Sequence, residues 1–452
     1  MKKLFLTVLF FFACAYSSEC VVKKVTTFGD IDEKFGENFS NRSCGELERD
    51  VRDLVDALSE NGYPFAKASY SIDSTGFAFV RLERGNAWVW ASAENREYSK
   101  SRKETFSRLS GLEAGSLVRL SDLERAERKL IRTGYFESTA PPKLFRDSVR
   151  SRLFPVFSMR DLSVNSVEGF VSYASGEDGG FAGNIELSLY NIRGTGRNLN
   201  VSGVSGDWER SVSALYKEPW LFGSGWSGIV RASFQDDSTS REALLEAGLS
   251  RSVGFFFEFA VLGGIGNDRL AYTLETEFKN MDRIVLPRHG QRLSGIFRVT
   301  RERSDSSHAF ITDLHADGEF FTPLSRGVVL HSSFSVGTLL PTDRQFRKSL
   351  LFSLGGLKNL KGYRPGFFRT RAYGISELDL QWRVMENLAL HGFLEPGLHR
   401  AEAPAHGWSD TYSYGLGISQ YRASWSFSLF YALHRGAGAL DGLLHFGIKA
   451  LF

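Results

Sequence analysis

The sequence contains Ser, His, Cys and acidic residues, but not in the spacings of known catalytic motifs. No Gly-x-Ser-x-Gly elbow, Walker phosphate-binding loop, His-Glu-x-x-His motif or Cys-x-x-Cys pair occurs. The histidines are dispersed without metal-ligand spacing, and His315 and His445 alternate with apolar neighbours as strand residues do. The sequence therefore predicts a protein that is not an enzyme and that needs no metal or other cofactor.

The N-terminus carries the pattern of a secretory signal peptide. Lys2 and Lys3 precede an apolar run, and Ala13-Cys14-Ala15 forms an A-x-A cleavage site. Residues 1–15 are therefore predicted to be removed on export. Acylation of Cys14 in a lipoprotein is the alternative, although Phe11 fits the pattern before a lipoprotein cysteine poorly. An uncleaved anchor is excluded because the apolar run is too short to span a bilayer.

Two cysteines, Cys20 and Cys44, follow this leader. In an oxidising compartment they could form a disulfide bond, which the loop-entropy model values at roughly 3 kcal/mol. Two free thiols fit the sequence equally well.

The amino-acid composition favours β-strands that have one face in contact with water over packed helices. The chain has 452 residues with 38 Phe and 45 Gly, yet its hydrophobic fraction is an ordinary 42%. The formal net charge of +3 does not indicate the strongly basic surface that binds polyanions, so nucleic acid is not expected as a partner. Beyond residue 16, no apolar stretch is long enough for a transmembrane helix.

Two helix-on-sheet modules are predicted in the first third of the chain. Ser43 with Glu46, and Ser121 with Glu124, each form a capping-box pattern before an amphipathic stripe that ends at a glycine. Strand-like segments follow each helix. This repeat places the first module at residues 21–86 and the second at residues 87–160.

From residue 161 to residue 452 the hydrophobic period changes to two. Glu377 and Asp379, for example, alternate with Leu378 and Leu380. A charged face cannot pack on a second sheet, but it can line the water inside a closed barrel whose other face meets lipid. The length predicts an all-β transmembrane barrel of about 16 antiparallel strands. Twelve or eighteen strands are arithmetically allowed, and a large soluble β-sandwich or β-helix is the rival fold.

Several segments in both parts of the chain resemble those of one known superfamily. The second module resembles a POTRA domain over Thr105 to Leu112 and Thr133 to Phe136, and the first does so at Gly62 to Ala66. The barrel segments that carry the resemblance are Asn191 to Arg197, Tyr216 with Glu218 to Gly223, Gly355-Gly356 with Leu360 to Tyr363, Tyr373 with Glu377, and Gly447 to Phe452. Together these segments resemble the BamA/TamA-like outer-membrane assembly superfamily, in which POTRA domains precede a bacterial surface antigen barrel. The resemblance implies a barrel in the bacterial outer membrane with its POTRA-like modules in the periplasm.

The same resemblance implies that the motif Lys361-Gly362-Tyr363 is the tip of a long loop folded into the barrel. The family has Arg at the tip and an Asp partner in a Phe-x-Asp-x-Gly setting, whereas this chain has Lys361 and offers Glu395. Glu has a longer side chain than Asp, and Lys is a compact charge on a flexible chain where Arg is a planar fork. The two replacements can therefore compensate each other in one ion pair. We therefore expect an ion pair of Lys361 with Glu395, with Glu377 as a second carboxylate. The alternative is that Lys361 is a solvated loop residue.

The resemblance also implies how such a protein works. The seam between the first strand, near Val167 to Tyr173, and the last, near Leu443 to Phe452, would open to insert β-barrel or autotransporter-type clients. Glycines at 169 and 447 weaken strand pairing there, and Gly447 with Phe452 belong to the signal for the barrel's own assembly. The expected partners are unfolded outer-membrane or secreted protein clients, the lipid bilayer, and periplasmic or lipoprotein accessory subunits.

Two other functions remain open. A two-partner-secretion-type transporter would export one dedicated secreted protein through the barrel pore, and two POTRA-like modules suit that class in number. A passive porin would leave the N-terminal modules without a use.

Overall fold

The computed structural model describes residues 21–30, 42–174, 180–206, 210–236, 241–254, 256–267, 269–282, 287–304, 307–341, 346–357, 359–385, 387–401 and 407–452. The predicted signal peptide and Cys20 lie outside these residues. The chain divides into two compact units, Met1–Leu162 and Ser163–Phe452. Among the described residues, no helix combines the length and the apolar character needed to cross a membrane.

The N-terminal unit begins with one helix on a small sheet. Its elements are β1 (Val21–Val22), β2 (Lys24–Gly29), β3 (Arg42–Ser43), α1 (Cys44–Ser59), β4 (Lys67–Ile72) and β5 (Phe77–Glu83), with a sheet order of β2-β5-β4. The predicted capping box starts α1, because Ser43 Oγ accepts from the Glu46 amide and the Glu46 carboxylate accepts from the Ser43 amide. Leu47 of the helix and Val80 of the sheet are both fully buried between the layers.

A second helix-on-sheet group completes this unit. Its elements are β6 (Val89–Trp90), β7 (Glu94–Asn95), α2 (Lys103–Ser110), α3 (Leu120–Arg132), β8 (Phe136–Asp147) and β9 (Arg152–Asp161). Strand β9 is central, parallel to β6 and β7 and antiparallel to β8. Trp90, Phe106, Leu130 and Phe157 form a buried core between helices and sheet.

The predicted capping box of Ser121 with Glu124 is wrong. Helix α3 already begins at Leu120, and its N-cap, Arg119, makes no side-chain capping bond. Ser121 therefore lies inside the first turn, where its amide donates to Glu60 Oε1 at 2.9 Å and its hydroxyl donates to the other oxygen of Glu60. A carboxylate just beyond α1 thus satisfies an amide that helix geometry leaves without an internal partner.

The C-terminal unit is a closed antiparallel barrel, and the predicted number of about 16 strands is confirmed. The strands are β10 (Ser166–Ala174), β11 (Gly180–Ile192), β12 (Arg197–Ser205), β13 (Arg210–Glu218), β14 (Ser227–Asp236), β15 (Arg241–Val253), β16 (Phe257–Gly266), β17 (Arg269–Met281), β18 (Gly290–Ser304), β19 (Ser307–Pro323), β20 (Val328–Leu340), β22 (Phe368–Met385), β23 (Leu388–Ala401), β24 (Ser409–Tyr421), β25 (Trp425–His434) and β26 (Leu443–Leu451). A short strand, β21 (Phe352–Leu354), lies in the connection between β20 and β22 and pairs with β22. The barrel closes where β10 pairs with β26 over eight residue pairs, from Ser166 opposite Leu451 to Tyr173 opposite Leu444.

The period-two pattern separates two chemically different barrel faces. On β15, Leu245 and Leu249 are 57% and 43% exposed on the outer surface, whereas Glu246 between them is 1% exposed. Arg231 extends across the inner wall and binds both Glu246, at 3.2 Å, and Glu275, at 2.7 Å. Exposed apolar side chains of this kind recur along the barrel strands and fit a lipid-facing surface, while paired charges line the interior.

The core of the second helix-on-sheet group provides a stability test. Leu130 of α3 is fully buried, while the next residue, Ile131, is 42% exposed. Leu130→Ala should lower the free energy of unfolding of this unit by about 2–5 kcal/mol, because it removes contacts and leaves a cavity. The measurement is hydrogen exchange of the full chain, read on peptides from α3 and β9. Ile131→Ala is the matched control and should change exchange little; equal effects would contradict this packing.

Candidate functional site in the barrel lumen

The connection between β20 and β22, residues 341–367, turns back on itself around two glycines. Gly355 and Gly356 have φ angles of 110° and 95°, a region that side chains strongly disfavour. A Cβ added to Gly355 would lie 2.1 Å from the carbonyl oxygen of Arg364. The two arms of the loop, around residues 355–356 and 363–364, therefore lie too close together for any side chain at this position. The Gly356 amide donates to the Tyr363 carbonyl at 2.8 Å and joins the arms. This hairpin-like arrangement presents the tip, residues 360–363.

The side chain of Lys361 is held by two carboxylates of the barrel wall. Its Nζ lies 2.6 Å from Glu377 Oε1 and 2.7 Å from Glu395 Oε1. The main-chain amide of Lys361 donates to the second oxygen of Glu395 at 2.6 Å, and the Ser413 hydroxyl donates to that oxygen as well. Lys361 is 6% exposed and Glu395 1%. The structure therefore brings together Lys361, Glu377 and Glu395, as expected from the sequence.

Strand pairing explains why a cation is needed here. Glu377 on β22 and Glu395 on β23 occupy corresponding positions, between the paired residues Ile375–Gly397 and Leu378–Leu394. Like charges opposite each other destabilise a sheet, and burial increases that cost. Burial also disfavours the ammonium, but the two carboxylates outweigh it and hold the pKa of Lys361 above its usual range. The loop tip thus supplies the cation that binds both carboxylates.

The neighbouring tip residues fit the wall beyond the ion pair. A Cβ at Gly362 would lie 2.5 Å from the Leu433 carbonyl oxygen, so glycine allows the tip to lie directly against β25. Tyr363 accepts a hydrogen bond from Thr411 Oγ1 of β24 at 2.7 Å, and its ring stacks on His434 of β25 at 4.9 Å. With the contact of the Lys361 carbonyl to His445 of β26, residues 361–363 contact five consecutive strands, β22 to β26. Ser413 and Thr411 carried no sequence signal, because only strand pairing brings them to the tip.

Two other segments quoted for the resemblance contact each other at the β11–β12 turn. Arg197 forms an ion pair with Glu218 at 2.9 Å. A Cβ added to Gly196 would lie 2.8 Å from the Trp220 ring, so the indole occupies the space beside this glycine. The Asn191 side chain accepts from the Gly196 amide at 2.8 Å and fixes the turn. These contacts stabilise the β11–β12 turn at one end of the barrel.

The other candidate residues of the sequence lie at the seam and in the first helix-on-sheet group. Gly447 on β26 is opposite Phe170 of β10, and a Cβ there would lie 2.2 Å from the Phe170 ring. The Phe452 amide donates to the Asn165 carbonyl at 3.0 Å, and the Phe452 side chain is 52% exposed. Cys44 is disulfide-bonded.

One group in the lumen has the residue types of a metal site. Among the described residues, His331, Glu377 and Asp379 place ligand atoms within 4.8 Å of one another. Strand pairing sets His331 opposite Asp379, a proximity that sequence spacing does not reveal. Glu377 already binds Lys361, and Asp379 accepts from Gln381 at 3.0 Å and contacts a second histidine, His391, at 3.0 Å. The group therefore belongs to the polar network of the wall.

Comparisons with known proteins agree on the fold. No protein-family model and no curated protein matches the chain. Among solved structures, it is similar to BamA from Haemophilus ducreyi lacking POTRA domains 1–3, with 15% identity and a TM-score of 0.54 over 96% of this chain and 100% of that chain. CdiB from Acinetobacter baumannii (14% identity, TM-score 0.63, 97% and 91% covered) and CdiB from Escherichia coli (15%, 0.63, 99% and 93%) are also similar. The predicted resemblance to the BamA/TamA-like superfamily is confirmed at the level of the fold.

The buried ion pair predicts a large effect of Lys361→Ala on loop docking. Removing the ammonium leaves the buried Glu395 and the half-buried Glu377 next to each other without their cation, which should cost about 3–5 kcal/mol. Hydrogen exchange of peptides from residues 355–363 should accelerate, and ion conductance in planar bilayers should rise as the loop leaves the lumen.

Arg241→Ala is the matched control for this prediction. Arg241 pairs with Asp236 at 3.2 Å, but its side chain is 79% exposed, so removal should cost no more than about 1 kcal/mol. Unchanged exchange and conductance in the Lys361→Ala protein would contradict the docking role of the ion pair.

Proposed function

We propose that this protein is an outer-membrane assembly and translocation factor that inserts β-barrel or autotransporter-type clients through the seam between β10 and β26. The observation that carries the proposal is the inward loop, whose Lys361 is buried between Glu377 and Glu395 in a barrel with the fold of BamA. A loop held by charge against the strands that lead to the seam can be displaced by a client, which is what a gated barrel requires.

The surface of the barrel supports a membrane location. Its outward side chains are apolar, and its charges face inward, as in barrels that span an outer membrane. We propose that residues 1–15 direct export and that the barrel lies in the bacterial outer membrane.

The two N-terminal helix-on-sheet groups are proposed to be POTRA-like modules in the periplasm, over residues 21–86 and 87–160. In the first, β2 and β4 flank β5, so each has one edge without a partner strand among the described residues. Such edges can bind an extended client by β-augmentation, in which main-chain hydrogen bonds give affinity without strict sequence choice. Unfolded clients would bind there before they reach the seam. Accessory periplasmic or lipoprotein subunits are further proposed partners.

The seam is a complete ladder that has to be broken for insertion. Its eight residue pairs equal the number between β25 and β26. Glycines weaken strand pairing in general, and Gly169 and Gly447 lie opposite Ile448 and Phe170 in this ladder. Breaking the ladder exposes main-chain groups that a client strand can bind in turn. Client folding would then supply the driving force.

Export of one dedicated protein through the pore is the second candidate. The presence of two N-terminal modules and of a loop inside the lumen favours it, because such a plug has to leave before a chain can pass. In that case the seam stays closed while the loop moves.

Locking the seam distinguishes these two functions. Val167 and Ala450 are paired across it on the outer face, so Val167→Cys with Ala450→Cys should form a disulfide bond. If clients use the seam, the locked protein should lose at least about tenfold in assembly of outer-membrane barrels, and a reductant should restore it. The readout is the outer-membrane proteome of cells depleted of the wild-type protein.

The matched control locks the neighbouring ladder with Leu429→Cys and Phe446→Cys, which pair β25 with β26. This control should assemble clients normally. Normal assembly by the seam-locked protein would contradict lateral insertion, and loss of a single secreted protein on depletion would favour dedicated export.

A further inference from the structure

A single buried histidine joins the loop tip to both strands of the seam. His445 of β26 is fully buried, and its Nε2 lies 2.6 Å from the main-chain carbonyl oxygen of Lys361. Its Nδ1 lies 2.6 Å from the hydroxyl of Ser172 on β10. Ser172 is directly opposite His445 across the seam and is itself buried. One imidazole thus touches the inward loop, the last strand and the first strand.

The chemistry of these partners fixes the direction of both hydrogen bonds in a neutral ring. A carbonyl oxygen only accepts, so Nε2 carries the proton and donates to Lys361. The unprotonated Nδ1 then accepts from the Ser172 hydroxyl. If the loop leaves, the Nε2 proton loses its partner in a buried site, where an unsatisfied donor is costly. The side chain can then recover a partner only by moving, which disturbs the bond to Ser172.

We propose that His445 is a positioning residue that couples docking of the inward loop to closure of the β10–β26 seam. The proposal rests on the proposed function and deepens it. Displacement of residues 361–363 by a client in the lumen weakens the seam through His445, and opening of the seam weakens loop docking. Such coupling is reciprocal because both events share one interaction.

A second polar contact across the seam lacks this connection. Lys449 of β26 binds Glu168 of β10 at 2.9 Å, with side chains 34% and 27% exposed. Glu168 and Lys449 are also directly opposite each other. This pair spans the same ladder without touching the loop tip, so it provides a matched comparison.

The test is a double-mutant cycle read by hydrogen exchange of the purified full chain in nanodiscs, on peptides from residues 166–174 and 443–451. Lys361→Ala should accelerate exchange of the seam amides by about tenfold, within the usual range of coupling between sites. In the His445→Ala background, Lys361→Ala should add almost nothing. In the Lys449→Ala background, its full effect should persist.

Two further variants keep the test decisive. His445→Gln retains a donor and an acceptor and should restore much of the coupling. Ser172→Ala removes only a hydroxyl, so it should fold even if His445→Ala does not, and it should abolish the coupling while the loop bond remains. An unchanged seam in Lys361→Ala, or the same Lys361→Ala effect in the His445→Ala or Ser172→Ala background as in the Lys449→Ala background, would overturn the proposal.

This experiment uses no client. A missing coupling would therefore leave the seam-locking result intact, and a seam-locked protein that still assembles clients would leave the coupling intact.

Discussion

The buried ammonium of Lys361 is the interaction on which the interior of this barrel depends. Two carboxylates at corresponding positions of adjacent strands, the half-buried Glu377 and the buried Glu395, would repel each other. The loop brings a cation to them, and the same residue donates its main-chain amide to Glu395. The ammonium of the loop and the two carboxylates of the wall therefore neutralise each other. This complementarity holds a long connection inside the lumen.

The same rule organises the rest of the lumen. Arg231 binds Glu246 and Glu275, and Arg269 binds Glu242 at 2.6 Å. These pairs form within the wall itself, so that part of the lumen needs no loop to be neutralised. Glu377 and Glu395, in contrast, bind the cation of the loop tip, which docks on β22 to β26. Charge that is nearly balanced over the whole chain is thus unevenly placed in space.

The seam combines a full backbone ladder with side chains that link it to the lumen. Phe170 lies over Gly447, and the imidazole of His445 fills the position opposite Ser172. Backbone pairing alone would make the seam like any other ladder of the barrel. What differs is that His445 of the last strand also binds the loop tip. Docking or release of the loop can therefore affect the strand that closes the barrel. A conformational device of this kind needs only one shared residue.

The sequence by itself determined the features that follow from local periodicity. Alternation of Glu377 and Asp379 with Leu378 and Leu380 was sufficient to predict a barrel with a charged interior, and the Ser43–Glu46 capping box was correct because helix ends are local. The Lys361, Gly362 and Tyr363 motif was found only through resemblance. Tertiary structure decided the rest: Glu60 binds Ser121, Ser413 binds Glu395, and His331 faces Asp379. Glu60 and Ser121 meet because the helices of the N-terminal unit pack together. The other two pairs are opposite each other in neighbouring barrel strands, so the strand register decides these contacts.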